Sequence, residues 1–252
     1  MVNYFNSLKL ILVFSLVGCE QTTFEDQNKV IEEIMNDSES IADSDQSPTI
    51  TYSYLALGDS YTIGTSVSLE DNYPNQLVSR FKDSLNIAIE NQIIAQNGWT
   101  TGDLLFGINE VSDQNTFDLV TLLIGVNNQY RGLNFSRYEE EFQMLVTKCV
   151  AFAQGEKARV IVISIPDYAY TPFGQSSSNP EEISLEIDQY NGFAQQYCTD
   201  NQIKFVNVTD ITRRGLNEPD LVATDNLHPS RRAYEKFVNI LVPEVLASLD
   251  QD

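Results

Sequence analysis

The chain is poor in the side chains that bind metal ions and nucleic acids. Its 252 residues include one histidine and three cysteines. No Cys-x-x-Cys or His-x-x-x-His spacing occurs, which argues against a zinc site, and we expect neither a metal nor another cofactor. Only 15 lysines and arginines stand against 36 aspartates and glutamates, so the net charge is −21. Because phosphate binding needs clustered cationic side chains, this balance argues against nucleic acid as a partner.

Two common catalytic motifs are also missing. No Gly-x-Ser-x-Gly occurs, so the nucleophile elbow of the α/β-hydrolases is absent. Gly58 and Gly64 do not have the spacing of a phosphate-binding P-loop, and no lysine follows Gly64. The length leaves room for one α/β domain with a full core and some additional segments.

The N-terminal segment, residues 1–18, is typical of an export signal. Lys9 is the only charged side chain before an apolar run over 10–17, which is too short to span a bilayer as a stable helix. Its last residues and Cys19 form Leu-Val-Gly-Cys, which is similar to the lipobox of bacterial lipoproteins, where the cysteine is lipidated. The low positive charge before the run departs from that pattern, and an ordinary signal peptide with an incidental cysteine is the alternative. We expect an exported protein, anchored to the cell envelope (periplasm or outer surface) by lipid on Cys19.

Residues 19–50 have the composition of a tether. Between 20 and 47, nine acidic side chains accompany one lysine, so this stretch holds −8 of the net charge. Such acidic density favours a solvated, extended arm between the membrane anchor and a folded domain over 51–252.

From residue 51 onward, strand-like runs alternate with helix-like runs. Hydrophobic patterning predicts strands at 52–57, 87–95, 119–124, 160–165 and 204–208. It predicts helices at 72–84, 101–109, 136–153, 181–200 and 230–249. This alternation predicts an α/β fold whose parallel strands are covered by helices on both faces.

The most unusual segments of the chain follow the ends of these predicted strands. In parallel sheets of this kind, ligands bind beyond the carboxyl ends of the strands. The segments found there are 58–60, 97–99, 125–130, the long loop 166–180 and 225–229. The candidate chemistry therefore falls on one rim of the sheet.

A serine, an aspartate and the single histidine on this rim form a candidate catalytic triad. Ser60 stands in a glycine turn after the first strand, which is a good way to expose a nucleophilic hydroxyl. Asp225 lies three residues before His228, so its carboxylate can orient the imidazole as a general base toward Ser60. The alternatives are that Gly-Asp-Ser is an ordinary turn that caps a helix, and that the lone histidine has no catalytic task.

Acyl transfer also needs hydrogen-bond donors for the developing oxyanion, and three candidates are present. The backbone N–H of Ser60 is the first. Gly98 offers its N–H because no side chain blocks close approach, and Asn127 offers a neutral amide. A turn glycine and an asparagine that binds loop backbone are the alternatives for the last two.

These residues resemble the SGNH hydrolase superfamily, also called the GDSL esterase/lipase family. Its marks are serine in a Gly-Asp-Ser block, a glycine, asparagine in a Gly-x-Asn-Asp block and histidine in Asp-x-x-His. They fall here on Ser60, Gly98, Asn127 and His228. The sequence departs from the family at Asn128, where aspartate is usual. The resemblance implies a flavodoxin-like three-layer α/β/α sandwich with a five-stranded parallel sheet.

The resemblance covers essentially the whole predicted domain and implies a serine esterase. In that mechanism Ser60 attacks an ester carbonyl, His228 takes its proton and Asp225 fixes the tautomer of the imidazole. The oxyanion rests on the N–H groups of Ser60 and Gly98 and on the amide of Asn127. No metal or cofactor takes part.

The candidate substrate contacts are aromatic and polar side chains near the rim. They are Asp59, Tyr61, Trp99, Asn128, Tyr130, Tyr168, Tyr170 and Phe173. Rings beside a polar cleft stack on sugars or receive an acyl chain, and packing of the loops is the alternative. The loop 166–180 is the predicted specificity element or lid. We expect a monomer that removes short acyl groups, such as acetyl on extracellular glycans. A short-chain lipid ester or an aryl ester is equally compatible.

Two further functions compete with the esterase hypothesis. A non-catalytic surface protein on the same fold would bind a glycan or another ligand without reaction at Ser60. An FMN-binding flavodoxin would need a phosphate-binding loop rich in serine and threonine after the first strand, and 58–60 is too short for one.

Cys149 and Cys198 lie on consecutive predicted helices. We expect two separate buried thiols, since the sequence does not show that their β-carbons meet. A disulfide in an oxidising compartment is the alternative.

Overall fold

A parallel sheet forms the centre of the domain. The computed structural model describes residues 51–109 and 115–249. The strands are β1 (Thr51–Gly58), β2 (Ala88–Ala95), β3 (Leu119–Leu123), β4 (Val160–Ile163) and β5 (Lys204–Val206). Their order is β2-β1-β3-β4-β5, and each neighbouring pair is parallel. The predicted five-stranded parallel sheet is confirmed.

Helices connect the strands and follow the last one. They are α1 (Ser60–Ile63), α2 (Tyr73–Leu85), α3 (Thr101–Ile108), α4 (Val126–Tyr130), α5 (Phe135–Phe152), α6 (Pro172–Gln175), α7 (Pro180–Asn201), α8 (Thr209–Thr212) and α9 (Arg231–Leu249). In the described part of the chain, no helix is both long enough and apolar enough to cross a membrane.

The longer helices cover the sheet in two groups. Helices α2 and α9 pack against each other, whereas α5 packs against α3 and α7. Crossovers between parallel strands are right-handed. Because the chain moves in one direction from β1 to β2 and in the other from β3 to β5, α2 lies on one face and α5 and α7 lie on the other. The flavodoxin-like three-layer sandwich is thereby confirmed.

The core lies on both faces of the central strands. Every residue of β3 and β4 is buried, as are the last five residues of β1. This explains why these strands are continuously apolar, since an alternating pattern is expected only where one face meets water. Thr121 is a polar exception in β3. It is satisfied by the hydroxyls of Tyr54 at 2.8 Å and Tyr73 at 3.1 Å.

The predicted boundaries lie within two residues of the observed ones, and the differences have local causes. The last strand is predicted to end at residue 208, but β5 ends at Val206. The N–H groups of Val208 and Thr209 donate instead to Ser164 Oγ, at 2.8 and 3.1 Å. Helices α1, α4, α6 and α8 were not predicted, because one helical turn is too short to show a hydrophobic period. The predicted signal segment, Cys19 and the tether lie outside the described residues.

The two helical cysteines are separate thiols. Cys149 on α5 and Cys198 on α7 are both free and fully buried. Burial raises the pKa of the Cys149 thiol well above its usual range and that of Cys198 to about 12. Two neutral buried thiols were the expectation, and the disulfide alternative is not realised.

We therefore expect both thiols to be unreactive toward a disulfide-exchange reagent in the folded protein, because only an accessible thiolate reacts. The measurement is a thiol titration of the Cys19→Ser form at neutral pH, with and without denaturant and without reductant. Two equivalents should react only after unfolding. If unfolded protein releases no thiol until a reductant is added, the cysteines form a disulfide.

Candidate active site

The nucleophile segment is shaped by the close packing at the end of β1. A β-carbon on Gly58 would lie 2.1 Å from Thr62 Oγ1 and 2.4 Å from the carbonyl oxygen of Leu123, so only glycine fits there. Asp59 caps helix α1, since its Oδ1 accepts the N–H of Tyr61 at 3.0 Å. Ser60 is the first residue of that helix, and its side chain lines a cavity at the rim of the sheet.

The aspartate and the histidine of the candidate triad are joined directly. Asp225 Oδ2 lies 2.5 Å from His228 Nδ1. Asp225 Oδ1 accepts the backbone N–H groups of Leu227 and His228, each at 3.0 Å. A carboxylate at Nδ1 favours the tautomer that carries its proton there, which leaves Nε2 of His228 free to accept a proton. The arrangement is that of a general base with its orienting group.

Asp225 keeps its negative charge in the folded protein. Burial by itself would raise its pKa, but hydrogen bonds from Ser66, from the His228 ring and from the two backbone N–H groups outweigh burial and hold the pKa well below its usual range. The carboxylate is therefore ionised throughout the pH range in which histidine titrates.

Ser60 and His228 lie on the walls of the same cavity. No direct hydrogen bond joins them among the hydrogen bonds of residues 51–109 and 115–249. The ring of Tyr61 meets the His228 ring edge to face, with the centroids 5.6 Å apart. Catalytic hydrogen bonds are often longer without substrate, so this geometry is compatible with proton transfer from serine to histidine.

The three candidate oxyanion donors have N–H groups that are free to bind a ligand. In the described part of the chain, neither the N–H of Ser60 nor that of Gly98 has a backbone acceptor. Gly98 has φ +77° and lines the cavity together with Asn127. Asn127 Nδ2 donates to the carbonyl of Trp99 at 3.0 Å, which fixes the amide and leaves its second N–H available. The arrangement can stabilise a negatively charged oxygen.

The structure adds two residues that the sequence pattern does not indicate. Arg131 donates to the carbonyl oxygen of Gly98 and so holds the glycine turn. Ser66 donates to Asp225 Oδ2 at 2.7 Å. Both lie in loops with no motif of their own, and their partners are 33 and 159 residues away in the chain. No local sequence signal could have identified them.

Asn128, the departure from the family pattern, holds a neighbouring loop. It is fully buried, its Oδ1 accepts the N–H of Thr101 at 3.0 Å, and its Nδ2 donates to Thr101 Oγ1 at 2.6 Å. The Thr101 hydroxyl in turn donates to Glu141 at 2.5 Å. An amide suits this position because it donates as well as accepts. An ionised aspartate would compete with Glu141 for the same hydroxyl proton.

The cavity has a volume of about 340 Å³. Its walls are Ser60, Tyr61, Asn97, Gly98, Val126, Asn127, Tyr130, Tyr168, Phe173, Leu227 and His228. Four residues predicted for catalysis or for the oxyanion hole therefore line the same cavity: Ser60, Gly98, Asn127 and His228. Asp225 is hydrogen-bonded to the ring of His228. Of the predicted substrate contacts, Tyr61, Tyr130, Tyr168 and Phe173 line this cavity.

Four of the predicted substrate contacts are absent from the lining of this cavity. Asp59 and Asn128 are fully buried beneath the rim, where they hold backbone turns. The indole of Trp99 packs against Gly107, so closely that a β-carbon there would lie 2.4 Å from it. Tyr170 shares a single 3₁₀ turn with Tyr168, and residues two apart in such a turn point in different directions.

Three aromatic rings form one end of the cavity, which we call the aromatic wall. The centroids of Tyr130, Tyr168 and Phe173 are 6.1 to 6.3 Å apart. The hydroxyl of Tyr168 donates to Gln129 at 2.9 Å. A second cavity of about 360 Å³ shares all three rings with the first. The aromatic wall therefore borders both cavities.

The loop predicted as a specificity element is held firmly by a buried ion pair. Asp167 is fully buried, and its Oδ2 accepts from Arg213 Nε at 3.0 Å and from Ser184 Oγ at 2.6 Å. Its Oδ1 accepts the N–H of Ala169 at 3.0 Å. These hydrogen bonds fix the turn that contains Tyr168, and Tyr168 lines the cavity.

The fold and the site together define the class of the protein. A β2-β1-β3-β4-β5 sheet with a serine after its first strand and an Asp–His pair at the same rim is the SGNH hydrolase arrangement. The chain belongs to the GDSL-like lipase/acylhydrolase family, whose family model matches residues 56–236. This is a family of carboxylic ester hydrolases.

Similar proteins are found among curated sequences and solved structures. The spore germination lipase LipC of Bacillus licheniformis is 23% identical over 203 residues, which is 74% of this chain and 92% of that protein. A variant of an acetyl xylan esterase from Geobacillus stearothermophilus superimposes with a TM-score of 0.62 at 19% identity, covering 77% of this chain and 94% of that one. A lipase from a goat rumen metagenome gives a TM-score of 0.61 at 20% identity, covering 77% and 97%. At these identities the likeness to the solved structures shows the fold alone.

The amide of Asn127 provides the first test of the site. We expect Asn127→Ala to lower kcat on an activated ester by about 100- to 1000-fold, as is usual when one oxyanion donor is lost. Asn217→Ala is the matched control, because Asn217 is exposed and does not line the cavity. This variant should have the kcat of wild type. A loss of less than about threefold would remove Asn127 from the oxyanion hole, since it falls well short of the usual effect.

Asp59 makes the stability of the protein depend on pH. Complete burial raises the pKa of this carboxyl from 3.8 to about 7, and its Oδ2 has no hydrogen-bond partner among the described residues. The folded state therefore holds a proton that the unfolded state has lost between about pH 4 and pH 7. Since the unfolded state binds fewer protons in this window, the contribution of Asp59 to stability falls as the pH rises through it.

Asp59→Asn should remove this contribution, because the amide keeps the acceptor for Tyr61 N–H and carries no titrating charge. The measurement is the free energy of unfolding in denaturant for both proteins at pH 5 and pH 8. The variant should gain stability relative to wild type on going from pH 5 to pH 8. An equal difference at the two pH values would show that Asp59 does not titrate in this range.

Proposed function

We propose that this protein is a serine esterase that hydrolyses carboxylic esters through Ser60, His228 and Asp225. The observation that carries the proposal is the meeting of Ser60, Gly98, Asn127 and His228 on the walls of one cavity, with Asp225 bound to the histidine ring. Membership of a family of ester hydrolases supports the same reaction.

In the proposed mechanism, Ser60 Oγ attacks the ester carbonyl carbon while Nε2 of His228 accepts the hydroxyl proton. The oxyanion of the tetrahedral intermediate accepts hydrogen bonds from the N–H groups of Ser60 and Gly98 and from the Asn127 amide. His228 then gives its proton to the departing alcohol, and an acyl ester of Ser60 remains. Water then attacks this ester while His228 accepts its proton, and His228 returns that proton to Ser60 Oγ as the acid departs.

Asp225 supports both proton transfers without giving up its own charge. Its Oδ2 accepts a hydrogen bond from His228 Nδ1, 2.5 Å away, and offsets the positive charge that His228 acquires when it accepts the serine proton. The fully ionised state of Asp225 suits this task, since a neutral carboxyl would not stabilise the imidazolium.

We infer that the acyl group is short, such as acetyl, and that the alcohol is a glycan or a small hydroxyl compound. Aromatic rings at the end of the cavity suit stacking against a sugar, and a second cavity that shares these rings offers room for the alcohol part. One similar structure is an acetyl xylan esterase. Short-chain lipid and aryl esters fit the same cavity, and other similar proteins are called lipases.

We also propose that the protein is exported and held at the cell envelope by lipid on Cys19. The apolar run before Leu-Val-Gly-Cys and the acidic tether after it support this location. An anchored hydrolase of this kind would act on esters outside the cytoplasm.

A non-catalytic binding protein on the same fold is the second candidate. The observation in its favour is that Ser60 and His228 are not directly hydrogen-bonded among the described residues. In such a protein the cleft would hold a glycan or another ligand, and the Asp225–His228 pair would only stabilise the loop before α9.

Hydrolysis of p-nitrophenyl acetate and butyrate against pH separates the two functions. We expect activity to rise through about pH 6 to 7, as a histidine base requires, and to vanish in Ser60→Ala. Ser79→Ala, an exposed serine on α2, is the matched control and should retain full activity.

A fluorophosphonate probe gives a second readout that does not depend on the choice of ester. It should label wild type and Ser79→Ala but not Ser60→Ala, because only an activated serine reacts. A wild-type protein that neither hydrolyses these esters nor takes up the probe would favour the binding protein over the esterase.

A further inference from the structure

The segment between α1 and α2, residues 64–72, contacts the loop that contains Asp225 and His228 of the candidate triad. After α1 the chain turns through Gly64 at φ +80° and Ser66 at φ +69°. The side chain of Thr65 donates to Asn97, next to the oxyanion glycine. The hydroxyl of Ser66 donates to Asp225 Oδ2 at 2.7 Å. One short segment thus touches both the oxyanion side and the base side of the site.

The carboxylate of Asp225 is fully occupied by donors. Oδ1 accepts two backbone N–H groups at 3.0 Å, and Oδ2 accepts from His228 Nδ1 at 2.5 Å and from Ser66 Oγ at 2.7 Å. An ionised carboxylate has about four acceptor sites, so all are used. Three of these donors belong to the Asp225–His228 turn itself. Ser66 is the donor that comes from another part of the fold, 159 residues away.

A serine at this backbone conformation is unusual. Only glycine adopts a positive φ without steric cost, and residues with side chains persist there when something else favours them. Ser66 is also exposed, so packing does not explain its side chain. The one contact that its hydroxyl makes in the described part of the chain is with Asp225. The hydroxyl is therefore the property that distinguishes serine from glycine here.

We propose that Ser66 is a positioning residue for the reaction proposed above: its hydroxyl fixes the plane of the Asp225 carboxylate, and through it the direction in which His228 faces Ser60. This inference rests on the proposed function for its role in catalysis. Its structural content, a link between the nucleophile segment and the base loop, does not depend on that function.

Loss of the Ser66 donor has a defined electrostatic consequence. The hydroxyl stabilises negative charge on Oδ2, so without it more of that charge acts on the Nδ1 proton and favours the imidazolium form of His228. The other titratable groups around the ring are Tyr61 at 5.6 Å and, across an adjoining pocket, Tyr168 and Asp167. Asp167 is paired with Arg213. None of these groups contacts Ser66 through a hydrogen bond in the described residues.

Because His228 is the only histidine, its ring can be followed by NMR without assignment in a protein that carries no histidine tag. The variants are Ser66→Ala, which removes the hydroxyl, and Ser66→Gly, which removes it and also relieves the positive φ. Ser68→Ala is the matched control. Ser68 lies two residues further on and makes a bond of the same length, 2.7 Å, to Asp71.

We expect both Ser66 variants to move the titration midpoint of the His228 ring to higher pH, because the lost hydroxyl no longer shares the negative charge of Oδ2. Their kcat on p-nitrophenyl acetate should fall on the order of tenfold, with KM little changed, because one hydrogen bond to a charged group is lost. The acidic limb of the kcat/KM profile should shift with the ring. Ser68→Ala should match wild type in all three measurements.

Three results would overturn the proposal. Ser66→Gly with wild-type titration and activity would show that only the backbone conformation matters. Both variants equal to wild type would show that water replaces the hydroxyl at no cost. An equal effect in Ser68→Ala would show a general loosening of the segment. If wild type is inactive on esters, the proposed function fails, while the NMR titration still decides whether Ser66 acts on the Asp225–His228 pair.

Discussion

Strands β1 and β3 are hydrogen-bonded neighbours, and the chain leaves them toward opposite sides of the sheet. A crevice therefore opens between their carboxyl ends, because no connection runs across it. Gly58 at the end of β1 pairs with Leu123 at the end of β3, so this ladder sets the separation of Ser60 from Asn127. The remaining parts of the site are loops attached around that crevice. The strand order therefore determines where the candidate site lies, independently of the identity of its side chains.

Buried polar side chains make these loops precise enough for chemistry. Loop backbone lies outside the sheet ladder, and its N–H and C=O groups need other partners when they are buried. Asn128 binds the backbone and hydroxyl of Thr101, and Asp167 binds the backbone of Ala169 and the guanidinium of Arg213. Removal of one partner from such a pair leaves a desolvated polar group, which costs more than the bond itself contributes. These two loops are consequently held by buried hydrogen bonds of their own.

The fold is shared at about 20% identity with an esterase and a lipase of known structure, so it does not by itself specify a substrate. The aromatic wall lines the cavity that also contains Ser60 and His228. Substrate choice is therefore expected to depend on Tyr130, Tyr168 and Phe173 more than on the triad.

The sequence by itself determined the order of strands and helices, because short continuous apolar runs and hydrophobic periods of 3.6 residues are local and survive in any fold. It also indicated Ser60, Asn127 and the Asp225–His228 pair, since each follows a strand end in a short motif. It did not determine which neighbouring side chains face the cleft. Consecutive residues in a one-turn helix point in different directions, and only the packing of that turn decides the phase, so Asn127 lines the cavity while Asn128 is buried. The partners Ser66 and Arg131 were likewise decided by tertiary structure alone, because a contact across 159 or 33 residues leaves no local pattern.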